Sequence, residues 1–455
     1  MFLDGRKGLE KKNLYIQTFG CQMNVQDAEK MAALLKDTGY ETTDDPGRAD
    51  LIIVNTCSIR EKAAQKIYSQ LGRFRALKEE KPKLIIGVGG CLAQQWGDRF
   101  FQRVSYVDLV FGTHQIHRLP ELVGALEQTG ERKVETGFCD HVRSLDIPAQ
   151  PPPGAISSFV TIMQGCNNYC AYCVVPHLRG REESRPLPEI VGEVETLTRR
   201  GIREMTLLGQ NVNSYGQTAN DGRDFADLIC ALGEIPGIGR IRFTTSHPKD
   251  LSLRLIDCFG KVVPLCEHIH LPVQSGSDRV LRRMNRGYTA EVYLEKVAAL
   301  RKVCPEISIT SDVIVGFPGE EEEDFRATLD LLNEVRFDNL FSFQYSEREG
   351  TAAAGMDYKV CDGVKRERLR ILQALQAEHT LVKNRACVGH TENVLVEGPS
   401  KKESGEMTGR TRGNRIVNFP GRRELIGETV SVRISEAFLH SLRGKMEEKG
   451  AADVH

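Results

Sequence analysis

The sequence predicts an α/β protein in three parts: an N-terminal open parallel α/β sheet, a central partial barrel of six β/α units, and a small C-terminal β-barrel. Hydrophobic strands alternate with helical patterns between residues 13 and 111, and the alternation resumes between residues 159 and 345. From about residue 388, short strands follow one another between glycines and polar turns. The first two patterns favour parallel sheets, and the third favours a barrel.

The first part, residues 12–147, is expected to hold four parallel strands with helices between them. Its predicted strands are Asn13–Phe19, Leu51–Asn55, Leu84–Val88 and Val107–Phe111. A helix is expected over Val25–Thr38 with Asn24 as its N-cap, because an asparagine side chain can bond free amides at a helix start. A second helix is expected over Ser58–Leu77.

A proline-rich linker, residues 148–156, is predicted to lead into the central part, residues 157–385. The predicted strands of the barrel are Phe159–Met163, Glu204–Leu208, Arg240–Thr245, His268–Val273, Ser308–Val315 and Asn339–Tyr345. Helices are expected over Leu187–Arg200, Phe225–Leu232, Leu251–Phe259, Ser277–Arg283, Ala290–Val303, Glu322–Val335 and Val364–Ala386. In such barrels the chemistry lies at the carboxyl ends of the strands.

The last part, residues 386–448, is predicted to contain strands Glu392–Glu397, Arg415–Phe419 and Glu428–Ile434. Its segment 409–423 holds five arginines, one phenylalanine and no acid. Arginines beside an aromatic ring on a β surface suit single-stranded or loop RNA. The predicted RNA-binding residues are Arg410, Arg412, Arg415 and Phe419. The alternative is a solvated basic hairpin.

Composition limits the possible partners and compartments. The 455 residues carry a net charge of −1, so nucleic acid would have to bind a local patch. The cysteine count is 13, an odd number, and the N-terminus lacks the apolar core of a signal peptide. This usage favours a reducing cytoplasm with cysteines as metal ligands or core residues. No run of 18 apolar residues predicts a membrane span.

The most informative motif is a loop with the spacing CxxxCxxC, formed by Cys166, Cys170 and Cys173. Thiolates at this spacing can turn toward one centre, and soft ligands favour zinc or an iron–sulfur cluster. A closed zinc site wants four protein ligands, and His177 is the nearest alternative fourth. Three cysteines on a [4Fe–4S] cluster leave one iron open for a substrate or cofactor.

Three further cysteines occupy corresponding positions in the first part. Cys21, Cys57 and Cys91 each follow a predicted strand, in turns of small or polar residues. Because the carboxyl ends of parallel strands share one edge of a sheet, these thiols are expected to meet in space. Three unrelated half-buried cysteines are the alternative. The repeated placement favours a second cluster held by three thiolates.

The CxxxCxxC loop, with Tyr172 just before its last cysteine, resembles that of the radical S-adenosylmethionine (SAM) superfamily. The resemblance implies that Cys166, Cys170 and Cys173 hold a catalytic cluster that cleaves SAM reductively to a 5′-deoxyadenosyl radical. It also implies SAM contacts at the strand ends. The residues expected to bind SAM are Tyr172, Gly209, Gln210, Asn211, Ser275, Asp312 and Gly316. For each residue alone, a loop-stabilising role is the alternative.

Over residues 13–442 the chain resembles the methylthiotransferases. In that family the N-terminal cysteines hold an auxiliary [4Fe–4S] cluster implicated in sulfur supply, a role that falls on Cys21, Cys57 and Cys91. The C-terminal part resembles a TRAM domain, an RNA-binding module. Segments 55–62, 270–277, 409–411 and 414–419 are most similar to the branch that makes 2-methylthio-isopentenyl-adenosine.

The resemblance implies a radical SAM enzyme that methylthiolates isopentenyl-adenosine next to the anticodon of tRNA. Two [4Fe–4S] clusters and SAM are its expected cofactors. Its expected partners are the tRNA anticodon loop and an electron donor such as flavodoxin or ferredoxin, and the enzyme is expected to be a cytoplasmic monomer. The sibling substrates are threonylcarbamoyl-adenosine in tRNA and an aspartate of a ribosomal protein. A non-catalytic iron–sulfur protein that binds RNA or carries electrons is the alternative of another class.

Overall fold

The computed structural model describes residues 11–58, 61–219, 221–401 and 405–447, with the side chains of residues 61–65 left out. Within these residues the chain forms an N-terminal sheet domain, a central half-open barrel and a closed C-terminal barrel. The predicted fold in three parts is confirmed. None of the described helices combines the length and apolar character needed to cross a membrane.

The N-terminal domain is built on a six-stranded sheet in the order β2-β1-β3-β4-β5-β6, with every neighbouring pair parallel. Its strands are β1 Lys12–Thr18, β2 Tyr40–Thr42, β3 Leu51–Thr56, β4 Ile85–Gly90, β5 Leu109–Phe111 and β6 Lys133–Glu135. Its helices are α1 Gln22–Lys36, α2 Glu61–Glu80, α3 Cys91–Trp96, α4 Arg99–Arg103 and α5 Leu119–Thr129. The elements β2, β6, α3, α4 and α5 were not predicted from the sequence.

The central strands of this sheet are buried on both faces, because helices cover each side. Along β3, Ile52 and Val54 join one apolar cluster, whereas Leu51 and Ile53 join another. This alternation follows from the two-residue period of a strand. A parallel sheet covered in this way exposes only its edges and its strand ends for binding.

The predicted capping role of Asn24 is wrong. The helix begins three residues earlier, with Cys21 at the N-cap, and Asn24 lies buried inside its first turn. Its amide donates to the carbonyl of Thr56 at 2.8 Å, and its own carbonyl accepts from the Asn55 amide at 2.7 Å. Asn24 therefore ties the start of α1 to the end of β3, where two of the cysteine turns lie.

The central domain contains two three-stranded parallel sheets, β11-β10-β7 and β12-β13-β14, which a bridge between Ile241 and Leu265 joins, and a two-stranded antiparallel sheet of β8 and β9. The strands are β7 Ser157–Thr161, β8 Met163–Gln164, β9 Glu183–Ser184, β10 Glu204–Leu208, β11 Arg240–Phe243, β12 His268–His270, β13 Ser308–Val315 and β14 Asn339–Gln344. The helices are α6 Val175–Arg179, α7 Leu187–Arg199, α8 Phe225–Gly233, α9 Leu253–Lys261, α10 Asp278–Arg283, α11 Ala290–Val303, α12 Glu322–Val335 and α13 Asp362–Ala386.

The C-terminal domain is a closed barrel in the order β15-β16-β17-β19-β18. Its strands are β15 Thr391–Pro399, β16 Glu406–Arg410, β17 Ile416–Pro420, β18 Thr429–Ala437 and β19 Leu442–Met446. The sequence analysis missed β16 and β19. The barrel packs tightly against the central domain, where Arg240 and Arg242 donate to backbone carbonyls of Asn393 and of residues 410–412.

The N-terminal domain docks on the first barrel strand through α1. The Gln26 amide donates to the carbonyl of Phe159 at 2.8 Å. One turn further along α1, the Lys30 ammonium donates to the carbonyl of Ser144 within the N-terminal domain at 2.6 Å, and the charges of Arg185 and Glu193 of the central domain act on it. A buried ion pair joins Asp27 to Arg179 of α6 at 2.8 Å. The domains therefore meet through polar groups that are withdrawn from water.

Lys30 gives this interface a predicted pH dependence. Burial lowers its pKa from the ordinary 10.5 to about 8. Between pH 8 and 10.5 the unfolded chain keeps a proton that the folded chain has lost, so stability rises with pH in that window. Below pH 8 both states carry the proton and the cost of burying the charge persists. Lys30→Met is expected to abolish this rise in anaerobic urea unfolding measured from pH 7 to 10.

Lys36→Met, on the same helix with an exposed side chain, is the matched control for the pH measurement. It is expected to leave the pH slope of the wild-type protein unchanged. A Lys30→Met protein that keeps the wild-type slope between pH 8 and 10.5 would contradict the prediction.

Candidate active site

The three N-terminal cysteines lie at one edge of the six-stranded sheet. Cys21 follows β1, Cys57 follows β3 and Cys91 begins α3 directly after β4, and these three strands are neighbours. A hydrogen bond with the Cys57 thiol, the largest effect, lowers the pKa of Cys21 to about 6. A Cβ at Gly20 would lie 2.6 Å from the Cβ of Cys57, so only glycine lets these turns approach.

A buried arginine faces this trio. The positive charge of Arg179 opposes the rise that burial causes in the pKa of Cys91. It also helps to lower the pKa of Cys21. The Arg179 side chain is 3% exposed and pairs with Asp27. The sequence analysis did not identify Arg179, since nothing in its local sequence separates it from other arginines.

The second trio lies in the loop between β8 and α6. Burial raises the pKa of Cys166 to about 11 and that of Cys173 to about 12, and in both cases the neighbouring cysteines add to the rise. Gly165 precedes the loop with φ 82°, and a Cβ there would lie 1.9 Å from the carbonyl oxygen of Arg181. Glycine is therefore required where the loop leaves the strand.

Arg286 is the cation that contacts the second trio. Its Nη1 lies 3.3 Å from Sγ of Cys170, and its Nη2 donates to the carbonyl of Pro272 at 2.8 Å. Sequence reasoning missed this residue, which comes from the turn after α10 and meets the loop only in the folded chain. His247 also approaches, with Nε2 4.0 Å from Cys170 Sγ. Burial lowers the pKa of His247 to about 2, so its ring is neutral.

The two trios lie on facing sides of one boundary between domains. Cys91 packs in a small apolar cluster with Val174 and Leu178. Val174 follows Cys173 directly, and Leu178 lies on α6, the helix that also carries Arg179. Cys91 of the first trio thus contacts the segment that directly follows the second trio, across the interface between α3 and α6.

The donors of each trio are of the kind that iron–sulfur clusters use. Among the described side chains, no three His, Cys, Asp or Glu groups converge closely enough to hold one ion. A [4Fe–4S] cluster places each cysteine on a different iron, so its sulfurs surround a cube and not one atom. Each trio offers soft thiolate donors, small neighbouring residues and a buried guanidinium that balances negative charge.

The predicted SAM-binding residues fall into two groups. Several line the end of the barrel that carries the cysteine loop. The Gln210 side chain accepts from the amide of Gly165 at 2.6 Å, the Tyr172 hydroxyl lies 3.4 Å from Arg286 Nη1, and Gly209 accepts from the Thr245 hydroxyl. Asn211 is buried and donates to Asp250 at 2.7 Å.

The other predicted SAM-binding residues lie on the second sheet and the loops after its strands. Ser275 is 1% exposed, and its hydroxyl is engaged by Thr328 and by the amide of Ser277. Gly316 has φ 71° and donates its amide to Glu320 at 2.8 Å. Asp312 lies 3.4 Å from Nε2 of His270 on the concave face of β13. The Ser275 hydroxyl thus stabilises its own loop, whereas Asp312 faces the inside of the half-open barrel, called the lumen below.

The predicted RNA-binding residues are arranged differently from the expectation. Phe419 is 0% exposed in the core of the small barrel, so the prediction that it stacks on a base is wrong. The arginines expected to contact RNA each meet a carboxylate instead. The pairs are Arg410–Glu397 at 2.9 Å, Arg412–Glu267 at 2.7 Å and Arg415–Asp338 at 2.6 Å. Two of these pairs fasten the barrel to the central domain.

Family models match three successive segments of the chain. The model described as "Uncharacterized protein family UPF0004" matches residues 13–112, that of the "Radical SAM superfamily" matches residues 160–332, and that of the "TRAM domain" matches residues 385–446. The radical SAM match covers the strands and helices that surround the CxxxCxxC loop.

Solved structures with a similar fold include two radical SAM enzymes. The methyltransferase TsrM from Kitasatospora setae, with tryptophan and aza-SAM bound, matches with a TM-score of 0.57 at 14% identity over 87% of this chain and 79% of that chain. The cobalamin-dependent enzyme OxsB matches with a TM-score of 0.54 at 13% identity over 81% of this chain and 56% of that chain. At such identities the likeness concerns the fold alone.

Curated relatives are far more similar. A protein of Syntrophus aciditrophicus is 59% identical over 96% of this chain and 95% of its own length. A protein of Geobacter sulfurreducens is 54% identical over 97% of this chain and 99% of its own length. Both are named tRNA-2-methylthio-N(6)-dimethylallyladenosine synthase. With this identity over nearly its whole length, the chain belongs to the family of the tRNA-2-methylthio-N(6)-dimethylallyladenosine synthases.

Proposed function

We propose that this protein transfers a methylthio group to carbon 2 of N6-dimethylallyl-adenosine beside the anticodon of tRNA. The observation that carries the proposal is the 59% identity to a synthase of that name over 96% of the chain. The two trios of thiols at one domain boundary support it, since the reaction needs both a radical and a source of sulfur. The enzyme is proposed to act in the cytoplasm as a monomer.

Two clusters are part of the proposal. Cys166, Cys170 and Cys173 would hold one [4Fe–4S] cluster, and Cys21, Cys57 and Cys91 would hold the other. When bound, the first cluster supplies the electron that cleaves SAM and the second supplies sulfur. A flavodoxin or ferredoxin is the proposed source of electrons.

Radical chemistry answers a problem that acid–base residues cannot solve. The C2–H bond of adenine is unactivated, so no general base removes its proton at neutral pH. In the balanced reaction one SAM accepts an electron and the substrate hydrogen, which gives 5′-deoxyadenosine and methionine. A second SAM donates its methyl group to sulfur and leaves as S-adenosylhomocysteine. When the C–S bond replaces the C–H bond, the carbon radical and the thiolate sulfur release one electron, which the N-terminal cluster would accept.

The protein's own residues orient these reactants and keep water out. Arg286 and Arg179 place a buried positive charge beside each trio of thiols. We propose that SAM contacts Gln210 and Tyr172, at the end of the barrel that carries the cysteine loop, and Asp312, which faces the inside of the barrel. A site withdrawn from water protects a reactive intermediate from quenching.

Recognition of tRNA is proposed to involve the C-terminal barrel, but not through Phe419. Arg422 and Arg423 belong to the same basic segment and remain exposed, so they are the proposed phosphate contacts. The target base is proposed to leave the stack of the anticodon loop to reach the barrel lumen, as enzymes that modify bases require.

The test is an anaerobic assay with reconstituted protein, reductant, SAM and tRNA that carries dimethylallyl-adenosine. We expect 5′-deoxyadenosine and, by nucleoside mass spectrometry, the 2-methylthio product. A product formed only on threonylcarbamoyl-adenosine or on a ribosomal-protein aspartate would assign a sibling reaction. Absence of SAM cleavage by the reduced, iron-loaded protein would favour a non-catalytic iron–sulfur protein.

A further inference from the structure

The last strand of the central barrel turns two aromatic side chains toward the concave side of its sheet. Along β14, Leu340 packs on the main apolar core, and the Ser342 hydroxyl lies 3.3 Å from the Gln373 amide on α13. Side chains alternate between the two faces of a strand. Phe341 and Phe343 therefore point away from α13, into the half-open barrel.

Both rings are unusually exposed for phenylalanine. Phe341 is 52% exposed and Phe343 is 46% exposed. Single exposed apolar residues are common and need no explanation, but adjacent ones on the same face of a strand form a patch. We call this pair the aromatic shelf. No other part of the described β14 offers side chains of this size to the lumen.

The register of the sheet places the aromatic shelf beside groups already assigned to the candidate site. Phe341 pairs with Asp312 and Phe343 pairs with Ile314 on β13. The ring of His270 contacts the Phe341 ring edge-on at 6.0 Å between centroids. Phe341 also lines a cavity of about 270 Å³ between the second sheet and the C-terminal barrel.

The same strands lead directly to the cysteine loop. Ile314, opposite Phe343, packs against an apolar cluster that includes Ala171, which lies between Cys170 and Cys173. From the other side, Arg286 connects the carbonyl of Pro272, just beyond β12, to the Cys170 thiol. A group lying on the aromatic shelf would thus have its reacting end close to the loop.

The charges of this part of the lumen are already balanced. Near the base of the barrel, Arg242 pairs with Glu204 at 2.9 Å and Arg415 with Asp338 at 2.6 Å. Asp312 faces His270. A neutral, apolar group therefore suits the aromatic shelf, because Arg242 and Arg415 near the base of the barrel already have carboxylate partners.

We propose that Phe341 and Phe343 form the binding surface for the dimethylallyl-adenine of the substrate, with the base stacked on a ring and the five-carbon chain against the apolar face. This proposal rests on the proposed function and adds the residues that select the substrate. Base–aromatic stacking tolerates any base, so selectivity comes from the alkyl chain. The aromatic shelf would thereby disfavour threonylcarbamoyl-adenosine, which carries a carboxylate.

The test compares the binding of a synthetic anticodon stem–loop RNA with and without the dimethylallyl group. Wild-type protein, iron-loaded and with SAM present, is expected to bind the modified RNA about 10-fold more tightly, in the range that apolar pockets give for small hydrocarbon differences. Phe341→Ala and Phe343→Ala are expected to bring this ratio close to one and to raise KM for the modified RNA. SAM binding is measured on the same variants without RNA, to show whether the rings contact SAM instead.

Matched variants separate selection from general damage. Phe438 has the same 46% exposure as Phe343 but lies in the C-terminal barrel, so Phe438→Ala is expected to keep the wild-type ratio. Phe343→Leu retains an apolar side chain of similar size and is expected to restore part of the ratio. Because both rings are half exposed, their truncation leaves no large cavity in the core.

The outcomes distinguish the two proposals. Wild-type protein that produces no methylthio-adenosine would overturn the proposed function. If wild-type protein forms methylthio-adenosine and the alanine variants keep the wild-type binding ratio, only the proposal that the aromatic shelf binds the substrate base is overturned. Variants that lose affinity for SAM while keeping the RNA ratio would assign the rings to the adenine of SAM and would likewise overturn the proposal.

Discussion

Cys57→Ala is expected to remove the methylthio product while SAM cleavage continues. Cys57 lies 3% exposed at the end of β3, beside the Cys21 thiol. Its loss leaves two thiolates at the N-terminal site, too few to hold a cluster that normally has three protein ligands. Iron content is expected to fall from about eight to about four atoms per chain, because each cubane cluster contains four.

Cys170→Ala, unlike Cys57→Ala, is expected to lose SAM cleavage itself. This substitution leaves the N-terminal trio intact, so iron again falls to about four atoms per chain. SAM cleavage is now expected to fall to background, since Cys170 belongs to the loop proposed to hold the cluster that supplies the electron. Iron analysis, 5′-deoxyadenosine by chromatography and methylthio-adenosine by mass spectrometry distinguish the two variants on the same preparations.

Cys230→Ala is the control for the cysteine variants. Cys230 is exposed and its sulfur lies 3.9 Å from that of Cys258, outside both trios. The variant is expected to retain about eight irons and both products. If Cys57→Ala retained full iron content and normal methylthiolation, the assignment of a second cluster to the N-terminal trio would fail.

The regular parts of the central domain could be predicted from hydrophobic periodicity. The helices Ala290–Val303 and Glu322–Val335 and the strand Ser308–Val315 have the predicted bounds. Each is long enough to repeat its pattern, and α11 carries a local start signal, the Thr289 hydroxyl that accepts from the amide of Val292. Short edge strands such as Tyr40–Thr42 contain too few residues to show a period.

The errors arose where a tertiary contact decides a residue's role. Asparagine is a common N-cap residue, but the Asn24 side-chain amide donates to the carbonyl of Thr56 at the end of β3 and Cys21 takes the cap position. Phe419 stands among arginines in the sequence, yet its position on β17 turns it into the barrel core. Arg179 and Arg286 were missed for the same reason. A local pattern cannot show which carboxylate or thiol a long side chain will meet.

Arg179→Met is expected to destabilise the docking of the N-terminal domain by about 3–5 kcal/mol, the usual cost of leaving one partner of a buried ion pair uncompensated. Arg179 and Asp27 are only 3% and 4% exposed, and the pair joins α6 to α1 across the domain boundary. Asp27→Leu is expected to cost a similar amount, because it leaves the guanidinium buried without its counter-charge.

The double variant Asp27→Leu/Arg179→Met is expected to be more stable than either single variant. Removing both charges also removes the cost of burying them, and apolar side chains of similar volume can pack in their place. Anaerobic urea unfolding of all four proteins gives the coupling energy. Arg99→Met is the control. Arg99 of the N-terminal domain pairs with Glu349 of the central domain, and because this pair is exposed, its loss is expected to leave the free energy of unfolding unchanged.

The same four proteins show whether the ion pair acts on structure alone. Arg179 lies beside Cys21 and Cys91, so its loss removes positive charge next to the N-terminal thiols. If the double variant regains stability but binds fewer irons than wild type, the guanidinium stabilises the thiolates as well as the interface. If the double variant is as unstable as the sum of the single variants, the two charges are not coupled and the predicted interface is wrong.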